Sequence, residues 1–159
     1  STSQVVSRVS NGVSVAWPKE LAIFAAYVQT FLMFPAVCLK WVPDGGWVPQ
    51  ETYGLVVVSA FQVFDLLGRF TCTKPSLLRF FPKGRRVWYL IAARTLLVPL
   101  CLLCWLAPWK AFFTREIVHA IVIALFGFSQ GVVTNLIFIW AGTDTAPWAR
   151  DVVGRALPL

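Results

Sequence analysis

The sequence predicts an all-α, polytopic membrane helical bundle, and three observations carry that prediction. Of 159 residues, 58% are hydrophobic and only 13% are charged, whereas soluble domains carry about 25% charged residues. The mean hydropathy is +0.71. The apolar residues gather in four runs, each close to the ~20 residues that a helix needs to cross a bilayer core. The segments between the runs are short and hold most of the charge.

Residues 1–19 are polar and rich in Ser and Val, with no basic stretch ahead of an apolar run, so they read as the cytoplasmic end of a central loop and not as a signal peptide. The chain begins with Ser rather than Met, which is the expectation for a fragment or a processed chain. The first span, 20–42, contains LAIFAAYVQTFLMFPAVCL, free of formal charge, with Pro35 near its end. A proline there removes a backbone hydrogen bond and is expected to bend the helix. Trp41 and Trp47 flank it as an interfacial belt would. The WVPDGGWVP segment is built of turn residues. The second span, 52–73, is the most polar, with Gln62, Asp65, Arg69 and Cys72. A basic loop, 74–87, carries Lys74, Arg79, Lys83, Arg85 and Arg86. The third span, 88–107, holds Arg94 and Pro99; the fourth, 117–141, holds the small and polar run GFSQGVVTN. Residues 142–159 form a tail whose end, VVGRALPL, reads as the start of a further apolar run.

Four spans place both ends of the chain on one side. Nine Lys and Arg outside the spans (Arg8, Lys19, Lys74, Arg79, Lys83, Arg85, Arg86, Arg150, Arg155) fall on that side, against Lys40, Lys110 and Arg115 on the other. The positive-inside rule then puts the termini and the basic loop in the cytoplasm. The net charge of +7 is therefore topological. A nucleic-acid surface needs a basic stripe on a soluble face, and no such face exists here. Cys38, Cys72, Cys101 and Cys104 lie in or beside apolar runs. Cys101 and Cys104 have the spacing of a redox or metal pair, but with no second pair nearby they read as packing residues. His119, at the outer end of the fourth span, is assigned no chemistry. There is no phosphate loop, metal-ligand cluster or nucleophile–base set, so an enzyme is disfavoured and no cofactor is implied.

The charges inside the second span need an explanation. Asp65 and Arg69 are four residues apart and share one helix face, which Gln62 joins. Each charge costs about 2.5–3.5 kcal/mol at the centre of a span. The polar stripe is expected to face the protein interior or a watery cavity. A solute or ion site is the functional reading; a packing salt bridge, or Arg69 reaching the headgroups, are the structural ones. Arg94, seven residues into the third span, starts from the same side as Arg69 and reads as a supporting residue or an anchor. In the fourth span, Ser129, Gln130 and Asn135 read first as helix-packing groups, with Gln130 and Asn135 the candidates for solute contact.

These motifs together resemble one family. FQVFDLLGR resembles the helix signature of the equilibrative nucleoside transporters, Phe-Asn-x-Phe-Asp-x-x-Gly-Arg. FLMFPAVCL, AARTLLVPLCLLC and FGFSQGVVTNL are similar to the neighbouring spans of that family, in the same order and at the same loop spacings. The resemblance covers roughly Leu21 to Arg155 and implies eleven helices in a major-facilitator-like arrangement of six plus five. This chain then supplies helices seven to ten, part of the C-terminal half, with the N-terminal half as its missing partner. On its own it is expected to form no complete transport path.

The resemblance further implies transport of nucleosides and, in some members, nucleobases, by alternating access in a multi-pass membrane protein, the plasma membrane first among locations. Asp65 and Arg69 match the residues that contact ribose hydroxyls, and Phe34 and Pro35 match the aromatic-proline element that faces the base. Gln62 and Gln130 depart from the family, which often has Asn at both positions, so solute preference is open there. The alternative is a non-transporting, truncated membrane interaction protein.

Overall fold

The computed structural model describes residues 2–42, 47–82, 84–106, 112 and 115–143, with side chains from Ala16 onward. The tail charges Arg150 and Arg155, and Lys83 and Lys110, lie outside the described residues. Every described element is helical. They are α1 (Thr2–Met33), α2 (Gln50–Thr73), a short α3 (Pro75–Leu78), α4 (Val87–Thr95), α5 (Leu97–Leu106) and α6 (Glu116–Thr143), with single 3-10 turns at Cys38–Lys40 and Gly84–Arg86. Among the described residues, four stretches are long and apolar enough to cross a membrane: Ala16–Lys40, Gln50–Thr73, Gly84–Leu106 and Glu116–Gly142. The all-α, four-span architecture is thus the one the composition predicts.

Prolines set most of the breaks. The helix α1 ends at Met33 because Pro35 has no N–H to give to the Phe31 carbonyl and its ring crowds that turn. The chain then winds on loosely, with Val37 N–H donating to the Met33 carbonyl at 3.1 Å and Leu39 N–H to that of Pro35 at 3.0 Å. The Phe34–Pro35 peptide is cis. Lys74 is extended (φ −88°, ψ 117°), as a residue preceding proline prefers, and α2 stops there. The third span, expected as one run, is two helices divided at Leu96. Pro99 leaves the Thr95 carbonyl without its i+4 donor, and Leu96 N–H bonds back to Ala93 at 3.1 Å. At the other end of the chain, α1 starts at Thr2 and carries helix through the segment that its polarity suggested was loop.

The helix α6 is the centre of the bundle. Of its most apolar window 61% is buried, against 28–39% for the other three spans. It runs against α2 along most of its length because glycines remove the intervening side chains. A Cβ on Gly127 would stand 2.6 Å from the Phe61 carbonyl oxygen; one on Gly131 would meet the Asp65 carbonyl oxygen; one on Gly68 would meet that of Phe128. This is the close backbone contact that small residues four apart permit between membrane helices.

Two apolar cores form. One joins Ala22, Ile23, Ala26, Ile91, Val133 and Ile137 toward the basic-loop end. The other joins Phe34, Trp41, Val57, Phe61, Cys101 and Phe126 toward the opposite end. Thr30, Asp65, Arg94 and Gln130, all buried, lie between them in sequence on each of the four spans. At the far end the Glu116 carboxylate accepts the Trp47 N–H at 3.0 and 3.1 Å, fastening the first loop to the start of α6.

Candidate functional site

The helical periods of α1 and α2 assemble one cleft. Its walls are Tyr27, Thr30, Phe31, Phe34 and Pro35 from the first span, and Phe61, Gln62, Asp65 and Arg69 from the second, with Gln130 of α6 closing the back. The cleft has a volume of about 230 Å³. The α1 residues recur at helical spacing from Tyr27, and the α2 residues from Phe61, so each helix contributes one face. Asp65, Arg69, Gln62, Phe34 and Pro35, expected to form a site, all line this one cleft.

Asp65 is the focus of its polarity. The residue is buried, 8% exposed. The carboxylate Oδ2 accepts from Arg69 Nε at 2.9 Å, while Oδ1 is buried with no hydrogen-bond partner among the described residues. A buried carboxylate oxygen left unpaired is costly. It also leaves an acceptor unused at a residue that lines the cleft. Arg69 uses Nε for Asp65 and is 44% exposed at its side chain. One turn before Asp65 on α2, the Phe61 ring stacks on Phe34 at 4.2 Å between centroids, 14° from parallel. Tyr27 and Phe31 stack at 6.0 Å. One lining is therefore charged and hydrogen-bonding and the other is aromatic. Such a lining suits a ligand that is flat and apolar at one end and rich in hydroxyls at the other.

The supporting residues divide. Gln130 lines the cleft. Arg94 stands behind it, 2% exposed, and all three of its nitrogens are engaged. Nε donates to Ser129 Oγ at 3.0 Å, Nη1 to the Ala26 carbonyl at 3.0 Å, and Nη2 to Thr30 Oγ1 at 3.0 Å. Its guanidinium also lies 4.4 Å from the Phe126 ring centroid. Arg94 thus binds α4 to α1 and α6 and does not reach headgroups. Ser129 holds Arg94 and forms part of a second, mostly apolar cavity of about 300 Å³ beside it. Asn135 is outside the cleft: its Nδ2 donates to the Arg69 carbonyl at 2.9 Å, tying α6 to the end of α2. That bond packs α6 against α2.

His119 is fully buried, 1% exposed. Its Nδ1 lies 2.6 Å from the Tyr53 hydroxyl and its ring stacks on Trp41 at 4.7 Å. Trp41 Nε1 in turn donates to the Cys101 carbonyl at 3.1 Å. These aromatics lock the far ends of α2, α5 and α6 together. The four cysteines are buried and free of disulfides.

The sequence reading passed over Tyr27, Thr30, Phe31 and Phe61 as cleft residues. The signal was present in spacing: Phe61 precedes Asp65 by one turn, and Thr30 precedes Phe34 by one turn. Nothing local marks Thr30 as more than a mid-span threonine.

Comparison with known proteins supports a single kinship. A family model described as "Nucleoside transporter" matches residues 4–156. "Nucleoside transporter 1.2" and "Nucleoside transporter 1.1" of Leishmania donovani are each 30% identical to the chain over 117 residues, 71% of this chain and 21% of theirs. The chain spans about a fifth of the length of these curated relatives. No solved structure matches it. With that match over nearly its whole length and four helices able to cross a bilayer among the described residues, the chain is an integral membrane protein and belongs to the nucleoside transporter family.

Proposed function

We propose that the protein moves nucleosides, and nucleobases if its cleft accepts them without ribose, across a membrane by alternating access. In this reading the four spans form part of one of the two halves that rock about the solute. The observation that carries it is the cleft itself, where a buried carboxylate with a free oxygen shares the lining with an aromatic pair. Asp65 accepts hydrogen bonds from ribose hydroxyls, and Arg69 both holds Asp65 and donates to solute oxygens. Phe34, Pro35 and Phe61 pack against the flat face of the base. Gln62 hydrogen-bonds at the rim. Arg69 engages Asp65 in an ion pair at 2.9 Å, an arrangement that suits a binding role.

The topology of this reading places the basic loop in the cytoplasm, and the plasma membrane is its first location. Its test is uptake of radiolabelled adenosine and uridine by the full-length protein that carries this segment, wild type beside Asp65→Asn, with surface expression matched. Uptake that collapses in the variant is the expected result. Unchanged uptake reduces Asp65 and Arg69 to a structural bridge. Absence of uptake in wild type as well, for nucleobases too, favours the interaction-protein alternative.

A further inference from the structure

Resting on that reading, we infer that Thr30 and Arg94 fix the side-chain amide of Gln130 so that its N–H₂ faces the cleft, making Gln130 a donor that selects solutes with an acceptor on the base. Arg94 Nη2 has donors only, so at 3.0 Å the Thr30 oxygen must accept from it. The single Thr30 hydroxyl proton is thereby turned away from Arg94. Two acceptors wait on that side, the Ala26 carbonyl and Gln130 Oε1, each 2.9 Å from Thr30 Oγ1. The Gln130 carbonyl end is thus engaged by Thr30, and the N–H₂ end is left to the cleft that Gln130 lines.

Proton counting alone would also permit the reversed amide, with Gln130 Nε2 donating to Thr30 and the hydroxyl proton given to Ala26. The surrounding charges decide between the two. Behind Thr30 lies the buried Arg94 guanidinium, 2% exposed and without a carboxylate in direct contact among the described residues. The cleft that Gln130 lines also holds Asp65, an acidic residue, in its lining. An amide between a cation and an anion orients its carbonyl toward the cation and its N–H₂ toward the anion. In a buried site with little water to screen it, that preference is strong. Arg94 also raises the acidity of the Thr30 hydroxyl it donates to, which strengthens the bond to the Gln130 carbonyl.

The consequence is a division of labour inside the cleft. Asp65 Oδ1, unpartnered, takes donors; the Gln130 amide gives them. A solute that offers hydroxyls to the first and a carbonyl oxygen or a ring nitrogen to the second satisfies both. Thr30 acts at one remove, as a positioning residue, and Arg94 through Thr30.

The test uses the full-length protein and a set of adenosine analogues, 1-, 3- and 7-deazaadenosine, each with one ring-nitrogen acceptor replaced by C–H. In wild type at least one analogue is expected to show a KM about two- to tenfold above that of adenosine, the size of one lost neutral hydrogen bond. That penalty disappears in Gln130→Leu, which has no donor. It also disappears in Thr30→Val, which leaves the amide unoriented, and returns in Thr30→Ser, which restores the hydroxyl. Adenosine transport itself, even at reduced rate, shows that the transporter reading stands while the specificity is examined.

Three results overturn the inference. One is wild-type transport of all three analogues with unchanged KM. Another is a penalty that persists in Thr30→Val while uptake of every solute falls equally, which marks Thr30 as purely structural. The last is a penalty removed by Gln130→Leu but not by Thr30→Val. A wild-type protein that transports no nucleoside fails the proposed function instead, and is told apart from these by adenosine alone.

Discussion

Replacing Gly131 by alanine tests the contact that places Asp65. The Cβ added at Gly131 would run into the Asp65 carbonyl oxygen and stand 2.9 Å from both the Arg69 nitrogen and the Asp65 carbonyl carbon. Ordinary van der Waals contact for a Cβ begins at 3.4 Å. The helices α2 and α6 must therefore part by about half an ångström at Arg69 and by more at Asp65. Both neighbours are backbone, so no side chain can swing aside. Inserting a methyl group into a packed site of this kind costs about 1–3 kcal/mol, occasionally more. Against that stands about 1 kcal/mol of gained helix propensity.

The net expectation is a loss of up to ~2 kcal/mol of stability. It comes with a larger loss of uptake, because the Asp65–Arg69 pair moves with α2. Reversible unfolding in mixed detergent micelles measures the first, and nucleoside uptake the second. Gly142→Ala is the control, since a Cβ there meets nothing within 4 Å; it is expected to be neutral or slightly stabilising. If Gly131→Ala matches Gly142→Ala in both assays, the close approach of α2 to α6 is not what positions the cleft.

Other perturbations probe separate layers. Arg94→Lys keeps the charge, but one ammonium cannot span Ser129, Ala26 and Thr30 as the planar fork does; a loss of about 1.5–3 kcal/mol in the same unfolding assay is expected. Phe61→Leu removes the 4.2 Å ring stack on Phe34. It is expected to raise the KM for nucleosides several-fold, with stability lowered by roughly 0.5–1.5 kcal/mol beyond the change in buried area; an unchanged KM would take the aromatic pair out of the solute path. Tyr53→Phe deletes the hydroxyl 2.6 Å from His119 Nδ1 and is expected to cost about 1–3 kcal/mol, because the histidine nitrogen stays buried without that partner. Uptake normalised to folded protein should be unaffected by it, as the pair lies outside the cleft.

The sequence by itself determined the all-α class, the four spans and the kinship. These follow from quantities that add along the chain: apolar length, charge placement and ordered local motifs. It also determined that Asp65, Arg69 and Gln62 share a face, because helical spacing is a local property. Pro35 announced the bend that ends the first helix, whereas Pro99 was visible only as a proline within a span and not as the separation of α4 from α5.

Only the tertiary structure decided which helices meet. That Gln130 joins the cleft while Asn135 bonds the Arg69 carbonyl depends on the rotation of α6 against α2, set by glycines that let two backbones touch. That Arg94 is bound inward, to Thr30, Ser129 and Ala26, and does not reach outward to lipid, depends on partners far away in sequence. Thr30 gains its position at the centre of that network from three spans converging on one hydroxyl, and no pattern within a single span records such a convergence.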